Sequence, residues 1–137
     1  MKKILCLVTC SVLMLMHFYV AQADQVKFPV DWAKQIDGTY RGHLLSSGQK
    51  SEVSTTFKHT YGGGITGLYE FNDNGHKEEG TFTDCKPGEA GELFCDWKDK
   101  YGVGVLEVNF ALSLDEFNGA WGEKKVDPEA YWNGKKQ

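Results

Sequence analysis

Val103-Gly104-Val105-Leu106-Glu107-Val108-Asn109-Phe110-Ala111-Leu112 is the stretch on which the fold turns. Leu106, Val108, Phe110 and Leu112 fall on one side of an extended chain, and Glu107 and Asn109 fall on the other. A period of two marks a strand with one buried face. Shorter runs of the same kind recur on both sides at intervals of roughly ten residues, the spacing of an antiparallel meander. No segment carries an extended helical stripe.

Upstream, the strands read Gly38 to Ser46, Glu52 to Thr60, Ile65 to Phe71, Lys77 to Cys85 and Glu92 to Lys98. Val53, Thr55 and Phe57 alternate with Ser54, Thr56 and Lys58; Ile65, Tyr69 and Phe71 share a side, as do Leu93, Cys95 and Trp97. Ser46-Ser47-Gly48, Tyr61-Gly62-Gly63-Gly64 and Lys86-Pro87-Gly88 punctuate them, and Asn74-Gly75 is a type I′ hairpin signal. Downstream, Phe117 to Gly122 and Ala130 to Asn133 complete eight. Connections this short pair neighbours with neighbours. The expectation is an all-β domain, an eight-stranded antiparallel up-and-down β-barrel over residues 38–137. Closure removes exposed strand edges and leaves an interior filled by side chains or holding one small ligand.

The start of the chain reads as a secretory signal peptide, residues 1–23. Lys2 and Lys3 precede an apolar run from Ile4 to Val20, closed by Ala21-Gln22-Ala23. The run is near the roughly 17–20 residues that span a bilayer, but the small residues followed by Asp24 favour cleavage over a permanent anchor. Leu7-Val8-Thr9-Cys10 only loosely resembles a lipobox, since Cys10 sits inside the run. Cleavage leaves 114 of the 137 residues, one ordinary domain. It removes two of 15 basic residues and none of 19 acids, so the net charge becomes −6. That balance argues against nucleic acid as a partner, and against adhesion to an anionic membrane. The expected location is periplasmic or secreted. Cys6 and Cys10 leave with the signal, and Cys85 and Cys95 remain, on adjacent strands of one hairpin. An even pair in an exported protein predicts one disulfide. Residues 24–37 form a leader in which Asp31 to Ile36 reads as a short helical turn, capped by Asp31, with Trp32 and Ile36 on one face.

Several motifs look chemical and resolve into turns. Gly62 to Gly67 matches G-x-G-x-x-G, but a strand follows where a dinucleotide site needs a helix. Glu70 to Gly75 starts like a calcium loop, yet its twelfth position is Thr81 instead of a bidentate Glu. His43, His59 and His76 show no metal-ligand spacing, and Ser46, Ser47, Ser51, Ser54 and Ser113 lack a nucleophile elbow. No catalytic residue, cofactor or metal is expected. Tyr40, Tyr69, Trp97 and Trp121 sit on four separate strands. Pointing inward, they either fill the core, the usual fate of aromatics in a small barrel, or line one end as a ligand site. The leading expectation is a non-enzymatic module binding a small apolar or aromatic ligand at that mouth. The alternative is a protein partner, as for a hydrolase inhibitor acting through loops and the leader.

Six phrases in series carry a resemblance. They are Gly38-Thr39-Tyr40-Arg41-Gly42, Gly64 to Tyr69, Glu79-Gly80-Thr81-Phe82, Trp97 to Gly104, Phe117 to Gly122 and Trp132-Asn133-Gly134-Lys135. Together they resemble a β-meander module of uncharacterised bacterial exported proteins and, more distantly, the avidin-like and lipocalin-like (calycin) barrels. The resemblance implies the barrel and a tendency to bind. It does not carry over biotin capture, for which only Tyr69, Trp97 and Trp121 correspond loosely; the cysteine pair and the Phe28-to-Ile36 leader depart from that pattern.

Overall fold

A computed structural model describes residues 26–137; the expected signal peptide lies outside the described residues. Eight antiparallel strands close into a barrel in sequence order, β1 beside β8. They are β1 (Gly38–Ser46), β2 (Gln49–His59), β3 (Ile65–Asp73), β4 (His76–Pro87), β5 (Glu92–Asp99), β6 (Gly102–Phe110), β7 (Glu116–Gly122) and β8 (Tyr131–Lys136). Alternation decides the faces. In β2, Val53, Thr55 and Phe57 are buried, while Glu52 and Lys58 are exposed. The hairpin at Asn74-Gly75 has φ of +51° and +88°, the left-handed pair a type I′ turn requires.

Two local expectations fail. Leu112 lies beyond β6 and is 40% exposed. The strand stops at Phe110, the chain turns, and Leu114 enters the core instead, held at a φ of +59°. Alternation is a strand property and ends where the ladder ends. Asp31 precedes the 3₁₀ turn Trp32–Gln35, but its side chain makes no capping hydrogen bond.

That turn closes one end of the barrel. Trp32 and Ile36 are buried, and Trp32 packs against Phe28 and Phe110 at 6.0 and 5.8 Å between ring centroids. The Tyr40 hydroxyl, at the start of β1, donates to the carbonyls of Ile36 (2.9 Å) and Leu114 (3.1 Å). The leader, the β6–β7 turn and β1 are thereby tied together. Above this plug, Phe57 lies among Tyr40, Phe82, Phe110 and Phe117.

Cys85 and Cys95 form a disulfide between β4 and β5. Strict alternation from the buried Phe82 would turn Cys85 outward. A bulge corrects the phase: Thr83 pairs with Asp96 and Lys86 with Phe94, so Asp84 and Cys85 together oppose Cys95. Asp84 takes a φ of +51°, and Cys85 is turned inward beside Cys95. Replacing both cysteines by serine is expected to cost about 2–3 kcal/mol of stability, from the loop-closure entropy returned to the unfolded chain. Denaturant titration of the oxidised and the double-serine proteins measures the difference.

Candidate functional site

Strand direction places the site. In an up-and-down barrel β1, β3, β5 and β7 run the same way, so their C-terminal ends meet at one mouth. Ser46, Asp73 and Asp99 are the last residues of β1, β3 and β5, and Glu123 follows β7. All four border a cavity of about 340 Å³ at the end opposite the plug. Its volume lies within the range of small-molecule sites. Two larger depressions occupy the outer wall, lined by outward-facing side chains such as Lys58, Glu70 and Lys98, or Arg41, Glu52 and Lys77.

The walls of the cavity are aromatic. Trp97 and Trp121 meet edge to face with centroids 5.5 Å apart and planes at 81°. Tyr69 and Trp132 meet at 4.9 Å and the same angle, and Phe71 stacks on Tyr69 at 6.0 Å. Two cross-strand glycines make room for these rings. Gly80 pairs with Tyr69, and a Cβ there would lie 2.0 Å from the phenol ring. Gly104 pairs with Trp97, and a Cβ there would lie 2.6 Å from the indole.

The donors of these aromatics are already committed. Trp97 Nε1–H donates to the Gly122 carbonyl (3.1 Å), Trp121 Nε1–H to the Leu45 carbonyl (2.9 Å), and Trp132 Nε1–H to the buried Thr55 hydroxyl (3.0 Å). The Tyr69 hydroxyl donates to Asp99 Oδ2 at 2.8 Å, and the Tyr101 backbone N–H donates to Asp99 Oδ1 at 2.8 Å. Tyr101 donates its hydroxyl to Asp73, and Asn74 Nδ2 donates to the same carboxylate at 3.0 Å. Burial, reinforced by the hydrogen bond to Asp99 and its charge, raises the Tyr69 pKa well above the ordinary phenol value. Tyr69 therefore stays a neutral donor at any physiological pH. Among the described residues no group of three His, Cys, Asp or Glu side chains is arranged to hold a metal ion.

Of the four residues singled out from sequence, Tyr69, Trp97 and Trp121 come together here. Tyr40 does not: it begins an odd-numbered strand, which places it at the plugged end as a core residue with no exposed surface. Trp132, Phe71, Tyr101 and the three carboxylates also line the site, with Leu44, Gln49 and Ser46, Ser47 and Ser51 of the β1–β2 hairpin, and were not anticipated. Strand parity was the signal that could have found them, because residues ending alternate strands of a meander share a mouth. No family model matches the chain, and neither the curated proteins nor the solved structures hold a match to it.

Proposed function

We propose that the protein is an exported, non-enzymatic binding module that takes a small ligand with an apolar or aromatic body into the open mouth of its barrel. The observation that carries this reading is the aromatic cavity itself. Four large rings from β3, β5, β7 and β8 line one space, while their polar atoms are satisfied by the protein. Rings fixed by hydrogen bonds lose little freedom on binding, which favours affinity. The disulfide is in keeping with an oxidising compartment. The leader supports ligand binding over protein inhibition, because Trp32 and Ile36 are spent closing the barrel instead of protruding from it.

Native mass spectrometry of protein purified from its natural source tests the reading. The expected result is a retained small molecule. Trp121→Ala is expected to weaken its binding roughly thirtyfold, as for a central aromatic contact, with the circular dichroism spectrum unchanged. An unloaded barrel that co-purifies in fixed ratio with another protein would replace this reading with a protein-binding one.

A further inference from the structure

Resting on the binding reading above, the geometry points to a ligand class: an organic cation, an ammonium group carried on an apolar or aromatic body. Two independent features of the cavity converge on it. The first is its π surface. Trp97 with Trp121, and Tyr69 with Trp132, form two mutually perpendicular pairs, so a ligand in the mouth meets ring faces and ring edges from several directions. Ring faces carry the negative part of the aromatic quadrupole and attract cations, tryptophan most strongly.

The second is the imbalance of hydrogen-bonding capacity. The indole N–H groups of Trp97, Trp121 and Trp132 and the Tyr69 hydroxyl are spent on protein acceptors, and the donors left in the lining are neutral: the hydroxyls of Ser46, Ser47 and Ser51 and the Gln49 amide. Acceptors are in surplus. A carboxylate offers about four lone-pair sites; Asp99 has accepted two hydrogen bonds and Asp73 two. Glu123 accepts none from the described residues.

Among the described residues no lysine, arginine or histidine lines the cavity, while three carboxylates border it. Lys100, next to Asp99 in sequence, pairs with Glu78 and lies 4.9 Å from the centroid of the Tyr101 ring, at the rim but outside the lining. Lys124 and Lys125 follow Glu123 and are exposed outside the lining. A cation with an apolar body supplies the missing positive charge and N–H donors to the rim while its body contacts the rings. A neutral ligand of the same shape leaves the carboxylates unpaired, and an anion is repelled by all three.

Three probes sharing one aromatic body isolate the headgroup: 2-phenylethylammonium, 2-phenylethanol and phenylacetate, titrated into the folded protein at low salt and followed by tryptophan fluorescence and calorimetry. The ammonium probe is expected to bind about tenfold or more tightly than the alcohol, and phenylacetate most weakly. Raising the salt is expected to narrow the gap. Asp99→Asn removes the charge while keeping the side-chain shape and one of the two acceptors used by Tyr69 and Tyr101; it is expected to lower the preference for the ammonium probe over the alcohol about tenfold. Alcohol binding equal to or tighter than ammonium binding overturns the proposal. So does a neutral or anionic molecule retained from the natural source with no ammonium binding, an outcome that leaves the binding reading standing. Failure of all three probes, with an unloaded barrel from the source, overturns both.

Discussion

Phe57→Ala is expected to lower the free energy of unfolding by about 3–5 kcal/mol, the cost of removing a fully enclosed ring. Phe57 has no exposed surface and stands 5.8–6.0 Å, centroid to centroid, from Tyr40, Phe82, Phe110 and Phe117. These neighbours come from four different strands of a closed barrel, so none can move inward without dragging its ladder. The site cannot collapse, and the cavity term adds to the lost transfer energy. Such a cost is a large share of the roughly 5–15 kcal/mol that holds a domain together. Urea titration checks it: the midpoint should fall while the slope stays constant. Val103→Ala, at an outward position 62% exposed, should stay within about 0.5 kcal/mol of the parent. A loss below about 2 kcal/mol at Phe57 would mean that the ring is not the centre of the core.

The second large effect is alkaline. Burial raises the pKa of both Tyr40 and Tyr69 far above the ordinary value of 10.0; the charges of Asp115 and Asp37 add to the shift at Tyr40, and the hydrogen bond to Asp99 adds to it at Tyr69. In the unfolded chain both phenols ionise near that ordinary value; in the barrel they stay protonated. The stability they contribute is therefore whole below about pH 10 and is lost as the pH climbs above it toward the folded values. Each tyrosine removes about 1.4 kcal/mol per pH unit in that range. Together they remove about 5 kcal/mol by roughly pH 12. Phenolate absorbance should show Tyr40 and Tyr69 ionising only with unfolding. Tyr40→Phe should roughly halve the slope. The pairs Lys77–Glu70 and Lys100–Glu78 dissolve in the same range, but they lie at the surface and contribute little.

Much of this architecture is legible residue by residue. Alternation in Val103–Phe110, in Val53–Phe57 and in Leu93–Trp97 is local, and so are the turn signals at Ser47-Gly48 and Asn74-Gly75, with φ of +50°, +75°, +51° and +88°. Strand number and strand order follow from them. The short links leave a chain of this length little choice but a meander, and eight strands can hide both edges only by pairing β1 with β8. Asp84 breaks that logic. Nothing in the alternation of Phe82, Asp84 and Lys86 announces a bulge, yet without it Cys85 would point away from Cys95.

The site was half visible for the same reason. Tyr69, Trp97 and Trp121 were recognisable as inward aromatics, because facing in or out depends only on strand period. Their height along the barrel depends on shear and on which end the chain enters, and these are set by pairing across all eight strands. That is why Tyr40, inward like the others, became part of the plug, while Asp73, Asp99 and Glu123 gathered at one rim. Local periodicity assigns a side chain to a face. Only closure of the sheet brings side chains from strands far apart in sequence to the same depth, and the aromatic walls and acidic rim of the mouth exist only at that level.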